Sequence, residues 1–337
     1  MPCSPREPSP RKGHERDVDA PAGFANVLDR CLAVRPDEQV LLLTDAGTDP
    51  EVVAVLEAAV SDRGGVCVVS RMPVPELPGQ EPPETVAAAM RSAGAVIELT
   101  SLFIGSSAAR REATAHGVRY LAMPGVRLET FRDDGPLAVD FDEIRADAER
   151  VGAAWRGADR YRLTTPAGTD LRGSVVGRPG RVLHGLARDP GDYMAPPDIE
   201  AGTAPVEGSS SGVVVIDADL LFMGTGPLPS PVALHLRDGD LVGVEGDEAG
   251  RLHDMLDRCA DPLMANLAEV SVAFNPNGRV CGVAMETESS RGTAHVALGN
   301  SIAYGGTVDA IAHLDCVMRD ATLELDGEPV IAAGVLA

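Results

Sequence analysis

Two apolar runs restrict the fold before any other feature does. Val40-Leu-Leu-Leu43 and Val66-Cys-Val-Val69 offer no charged residue to either side of an extended chain. Strands of that kind need cover on both faces, which points to a parallel sheet flanked by helices. The surrounding residues follow suit. Apolar periodicity predicts helix over 24–33, strand over 39–44, helix over 49–63, strand over 66–71, helix over 83–92, strand over 95–100, helix over 107–116 and strand over 118–123. The expected unit is an open parallel α/β domain over residues 21–158, closed by a helix over 141–156. Ligands of such sheets sit beyond the carboxyl ends of the strands, so Thr44-Asp45, Thr100-Ser101 and Pro124-Gly125 come into view. No GxGxxG follows the first strand and no GxxxxGK[ST] occurs, so neither dinucleotide nor NTP binding is expected.

The texture changes near Asp159. Short strands with Gly/Pro turns are predicted over 161–165, 212–218, 232–237 and 240–245, then a helix over 248–259 and a hairpin over 321–331 turning at Asp326-Gly327. This gives a second, strand-rich α+β domain over 159–337. A chain of 337 residues is long enough for two such cores. Residues 1–20, rich in Pro, Arg, Ser and Glu without apolar period, read as a disordered tail with an inert His14. The formal net charge of −22 repels phosphate backbones and anionic lipid, so nucleic acid and membranes are not expected partners. Six cysteines are scattered without a CxxC pair, as reduced thiols would be. With no apolar run near the roughly 20 residues a membrane span needs and no leader-like start, the expectation is a soluble, cytoplasmic protein.

Three segments carry metal-capable side chains: 267–273 with Glu269, 292–299 with His295, and 311–318 with His313 and Asp315. Residues two apart share a face only on an extended chain, so His313 and Asp315 can meet one ion only in a strand. The alternation agrees: Ala312, Leu314, Cys316 and Met318 back the His/Asp pair, Ala294, Val296 and Leu298 back His295, and Ala268, Val270, Val272 and Phe274 back Glu269. A His and a carboxylate so spaced form two-thirds of a facial triad; a core histidine bonded to a local carboxylate has the same spacing. His295 lies 18 positions before His313, across Gly299, Gly305 and Gly306, so adjacent strands can bring the rings together. Glu269, a carboxylate in an apolar strand, requires a metal, an arginine or a sheet edge. Glu200 and Glu207 read as loop carboxylates, Met285-Glu-Thr-Glu288 as a solvated turn, and His116, His235 and His253 as surface or packing residues. Gly224-Thr-Gly226 is too short for a phosphate loop.

Asn266-Leu-Ala-Glu269, Asn275-Pro-Asn277, Gly292-Thr-Ala-His295-Val-Ala-Leu-Gly299, Gly305-Gly306 and His313-Leu-Asp315 together resemble the shorter members of the thermophilic-aminopeptidase family of metalloproteins. That superfamily includes the iron-dependent 2,5-dihydroxypyridine dioxygenases. Thr164-Thr-Pro-Ala-Gly-Thr-Asp170 and Glu200-Ala-Gly-Thr-Ala-Pro-Val-Glu207 look like further blocks of it, and the match is firm over residues 160–331 and looser before them. The dioxygenase pattern implies one Fe(II) held by His313, Asp315 and either His295 or Glu269. It also implies a hydroxylated nitrogen heteroaromatic and O2 as substrates. Glu200, and Ser101 at the carboxyl end of a parallel strand, are expected to face that substrate, and His184 and Tyr304, each polar and flanking the expected site, are candidate proton handlers or substrate contacts. The peptidase pattern makes Glu200, Glu269, His295, His313 and Asp315 a cluster for two divalent ions such as Co or Zn, acting on peptides; a binding protein with a vestigial site is a third possibility. The family pattern further implies a homodimer with the site between the α/β sheet and the strand-rich domain.

Overall fold

The computed structural model describes residues 21–224 and 226–337, so the tail expected at 1–20, with Cys3 and His14, lies outside the described residues. The amino-terminal apolar runs form a parallel sheet in the order Val66–Arg71, Gln39–Thr44, Ala95–Glu98, Arg119–Ala122. Tyr193–Met194, a much later segment, adds a fifth parallel strand at the far edge. The helices Pro50–Asp62, Glu84–Ser92 and Ala108–Ala115 lie where the apolar period predicts them. Two of them are capped as their sequences direct: Asp49 accepts from the Glu51 N–H and Ser107 from the Arg110 N–H.

Two local expectations are corrected. The helix expected over 24–33 is α-helical only at Ala22–Ala25 and continues as a wider π-helix over Asn26–Cys31, with Val27, Leu28, Cys31 and Leu32 all fully buried. The strand Val66–Arg71 is not covered on both faces: it is the sheet edge, and Val66, Val68 and Val69 are 50%, 43% and 42% exposed.

Beyond Asp159 the chain builds two antiparallel sheets. One has eight strands and includes the predicted hairpin, Thr322–Leu325 with Glu328–Ala332, turned by Asp326 and Gly327 at φ of 52° and 90°. Two residues at positive φ give the tight turn whose twist suits a hairpin. The other sheet has six strands in the order Asp219–Leu220, His313–Arg319, Thr293–Gly299, Leu267–Ala273, Glu200–Thr203, Arg181–Leu183. Its rear face is packed by the helix Phe141–Gly157, started by Asp140, whose carboxylate accepts from the Asp142 and Glu143 N–H groups. Trp155 Nε1 on that helix donates to the Ala201 carbonyl at 3.2 Å. The front face points at the loops that follow the parallel strands. Among the described residues no helix is long and apolar enough to cross a membrane.

Candidate metal centre

Four neighbouring strands of the six-stranded sheet bring the candidate ligands to its front face. Register sets His295 opposite Val317 on one side and Ser271 on the other; Ser271 faces Gly202, and Gly202 faces Arg181. Opposed residues of an antiparallel pair share a face, as do residues two apart. Asp315 and His313 therefore emerge beside His295, with Glu269 one step from Ser271 and Glu200 one step from Gly202. Leu314, Cys316, Val296 and Val270 take the opposite side and are fully buried in the core. Gly202 has no substitute here, because a Cβ on it would stand 1.6 Å from Ser271 Oγ. The space leaves Ser271 free to donate its hydroxyl to Glu269 Oε1 in a very short hydrogen bond.

Glu269 lies at the middle of the cluster, fully buried. Its Oε1 is 3.1 Å from His295 Nε2 and its Oε2 is 3.0 Å from His313 Nε2. Each imidazole also meets a second carboxylate: Glu200 Oε2 is 3.0 Å from His295 Nε2, and Asp315 Oδ1 is 3.3 Å from His313 Nε2. Only the Glu269 contact of His295 has hydrogen-bond geometry, which leaves Glu200 Oε2 a buried oxygen without a donor. Two three-residue sets thus share Glu269: Glu200, Glu269 and His295, and Glu269, His313 and Asp315, the candidate ligand atoms of each set lying within 4.8 Å of one another. Tyr304 closes the group, its hydroxyl donating to Glu200 Oε1 at 2.6 Å and its ring stacked 5.5 Å from that of His313.

The hydrogen bonds of His313 show what the cluster lacks. Nδ1 is 2.6 Å from the Asn300 carbonyl, which can only accept, so the Nδ1 proton is spent there. A neutral ring then turns the Nε2 lone pair toward two carboxylates, three acceptors facing one another. Positive charge must sit between them, as a second proton or as a cation. Nδ1 fixed by a carbonyl and Nε2 free is also the usual arrangement of a ligating histidine.

Without a metal, the protein field supplies the proton. Burial works against charge on both rings, but Glu200 and Glu269 hold His295, and Asp315 and Glu269 hold His313, well above the ordinary imidazole range. Burial would raise Glu269, yet hydrogen bonds from the two histidines pull it down to about 2. Three further carboxyls in the neighbourhood are raised, each first by burial and then by a carboxylate beside it: Glu200 by Glu269, Asp198 by Glu200, and Glu288 by Asp315. Five acidic groups around two imidazoles fit a multivalent cation better than they fit each other. The mixed imidazole and carboxylate donors suit first-row transition metals.

A cavity opens in front of the cluster, with His295, His313, Asp315 and Glu200 on its floor. Phe103 from a loop after the parallel sheet, Leu183, Tyr193, Phe222 and Met285 supply its apolar wall. Four placements depart from expectation. His184 does not reach the cavity: alternation turns Leu183 inward and sends His184 to a separate groove beside Glu149 and Arg156. Ser101 does not line the cavity either, since its N–H and hydroxyl both go to Asp45 Oδ2 at 2.8 and 2.7 Å. Residues 285–288 are no solvated turn but part of a fully buried short helix, Ala284–Ser289, that presents Glu288 to the cavity. Glu200, read from sequence as a loop residue, is a buried strand residue. Glu207 stays outside, paired with Arg178 and accepting from the Thr307 N–H at 2.8 Å, which ties down the loop bearing Tyr304.

Sequence reasoning passed over Asp198 and Glu288. Asp198 is 1% exposed with one carboxyl oxygen unpartnered, on a turn pinned by Asn275 Nδ2 and Ser289 Oγ, which both donate to the Pro197 carbonyl at 2.9 Å. The usable signals were two: Asp198 stands two residues from Glu200, and Val283-Ala284-Met285 is too apolar for a solvated turn.

The family model NicX, described as 2,5-dihydroxypyridine 5,6-dioxygenase, matches residues 19–337. No curated protein matches the chain. Among solved structures, the 2,5-dihydroxypyridine dioxygenase from Pseudomonas putida KT2440 is 20% identical, with 94% of this chain and 96% of that one covered at a TM-score of 0.76. AmpT from Thermus thermophilus is 17% identical, covering 94% and 98% at a TM-score of 0.69. At these identities the two structures show a shared fold.

Proposed function

This chain belongs to the 2,5-dihydroxypyridine 5,6-dioxygenase family, and from that premise we propose that it opens a small hydroxylated nitrogen heteroaromatic with O2 at a metal held by the buried His/carboxylate cluster. The observation that carries the reading is His295, His313, Asp315 and Glu269 converging at the floor of an aromatic-walled cavity. Fe(II) held by His313, Asp315 and either His295 or Glu269 would supply the redox chemistry that O2 requires. The chain's own residues do the rest. Phe103, Phe222 and Met285 exclude water and leave a slot for a flat ring. Tyr304 is the proton handler, because its hydroxyl is already bonded to Glu200 Oε1. Glu200 holds the other end of that hydrogen bond, so a proton delivered from a substrate hydroxyl has a built route away from the ring.

The experiment is anaerobic loading with Fe(II), metal counting, and an oxygen electrode with 2,5-dihydroxypyridine. One iron per chain and one O2 consumed per ring lost are expected. A specific observation favours a second reading: each oxygen of Glu269 faces a different histidine, and Glu200 and Asp315 complete a set on either side, as in a two-cation hydrolase. Two Co or Zn per chain, release of amino acids from dipeptides and no O2 uptake would establish that reading in place of the first. No metal bound and neither activity would reduce the site to a vestige.

The reading extends to the assembly. The exposed valines of the edge strand Val66–Arg71 support a homodimer; light scattering that returned a single-chain mass of 35.1 kDa would remove it. Five cysteines among the described residues are unpaired, in keeping with a reducing cytoplasm; a purified chain carrying intermolecular disulfides would speak against that placement.

A further inference from the structure

Opposite the acidic floor, the cavity wall carries two arginines. Arg110 comes from the helix Ala108–Ala115 and Arg181 from the outermost strand of the six-stranded sheet, and both line the cavity. They converge on one ring: the guanidinium carbons lie 4.2 Å and 5.7 Å from the centroid of Tyr193. Arg181 is also 5.4 Å from the centroid of Tyr304, whose hydroxyl is on Glu200. The cationic wall and the cluster are therefore one aromatic ring apart.

In a chain of net charge −22 these two cations are conspicuously unpaired. Other arginines with little exposure have carboxylates: Arg119 has Glu38 and Arg178 has Glu207. Among the described residues neither Arg110 nor Arg181 has a carboxylate oxygen within 4.0 Å. Arg110 Nε donates to the Gly105 carbonyl and Arg181 Nη1 to the Ala303 carbonyl, while Arg181 Nε is buried with no acceptor. Glu98, which feels the charge of Arg110, is spent on the Ile104 N–H and the hydroxyls of Tyr120 and Thr100. A guanidinium has five N–H donors in a fixed fork, so most of this donor capacity faces the cavity unused.

We propose that Arg110 and Arg181 form a carboxylate subsite, and that the natural ligand bears a carboxylate one ring's width from the groups it presents to the cluster. The fork geometry of a guanidinium matches a carboxylate's two oxygens, and the aromatic platform of Tyr193 holds both cations in place. Resting on the proposed function, the substrate class becomes a hydroxylated heteroaromatic carboxylic acid rather than a neutral dihydroxypyridine. Under the two-cation reading the same subsite takes the terminal carboxylate of a dipeptide.

Calorimetric titration of the full chain as purified tests this without relying on turnover. The probes are 5-hydroxypyridine-3-carboxylate against 3-hydroxypyridine, and a dipeptide against its terminal amide. The carboxylate of one pair should bind about tenfold tighter or more than its neutral partner, and the pair that shows the preference identifies which source the subsite serves. R181Q and R110Q should each abolish the preference, and R181K should restore only part of it because an ammonium cannot form the fork. Equal affinity within both pairs, no binding by any carboxylate at millimolar concentration, or a preference that survives both glutamine variants overturns the subsite. Loss of O2 uptake with the preference intact would instead overturn the proposed reaction alone.

Discussion

His313 spends one ring proton on the Asn300 carbonyl, and the character of the site follows from what that leaves at its other nitrogen. A lone pair aimed at Glu269 and Asp315 invites a cation, and Glu269 is positioned to share its two oxygens between His313 and His295. That position depends on a residue with no side chain. Gly202 leaves room for Ser271, and Ser271 fixes Glu269. Gly202→Ala would push a methyl group into Ser271 Oγ and to 2.8 Å from the Val270 carbonyl, in the middle of a paired strand. The expected outcome is a loss of about 1–3 kcal/mol in stability, typical of overpacking, with weaker metal binding through a displaced Glu269. Urea denaturation and metal counting on the same preparation check both; unchanged values for both would show that the strands yield freely there.

The strand Ala95–Glu98 ends on a carboxyl with no access to solvent. Glu98 accepts from the Ile104 N–H at 2.7 Å, the Tyr120 hydroxyl at 2.8 Å and the Thr100 hydroxyl at 3.2 Å. Burial outweighs these bonds and pushes its pKa up to about 7. Below the ordinary carboxyl pKa both folded and unfolded chains hold this proton. Between there and pH 7 only the folded chain holds it, so stability falls as pH rises and levels off above about 7. The shift corresponds to about 3 kcal/mol across that window. Glu98→Gln keeps an acceptor for the Ile104 N–H and cannot ionise, so its denaturation midpoint should move less than the wild type's between pH 5 and pH 8. Parallel pH profiles for the two proteins would contradict the assignment. The carboxyl also has a mechanical function, since its bond to Ile104 shapes the loop that delivers Phe103 to the cavity.

Over the whole molecule, the site is a junction. Its floor is four strands of one sheet, while its wall takes Phe103 and Arg110 from the parallel-sheet half and Tyr193 from a strand that completes that same sheet. A cation at the floor would tie together strands whose carboxylates otherwise repel. Removing metal with a chelator should therefore lower the unfolding midpoint, by an amount that grows with the metal concentration before removal. At a hundredfold excess over the dissociation constant the loss is about 2.7 kcal/mol. Calorimetric scans with and without chelator, and after adding metal back, measure it; identical scans would mean that protons alone satisfy the cluster.

The sequence by itself determined the alternation of strands and helices in the amino-terminal parallel sheet, and the face on which His295, His313, Asp315 and Glu269 emerge. These are local matters: a period of two or of 3.6 is written in neighbouring residues, and alternation tells which side of a strand is buried. Resemblance to a known family added Glu200 to the cluster, whose surroundings carry no such local pattern. Only the tertiary structure decided which of these groups meet. Cross-strand register brought Glu200 to His295, and packing buried the helix that carries Glu288. Arg110 stands on a helix and Arg181 on an edge strand of the six-stranded sheet, and nothing near either in the chain marks them as a pair. Convergence of that kind is fixed by contacts between segments distant in sequence, where neither propensity nor spacing has anything to read.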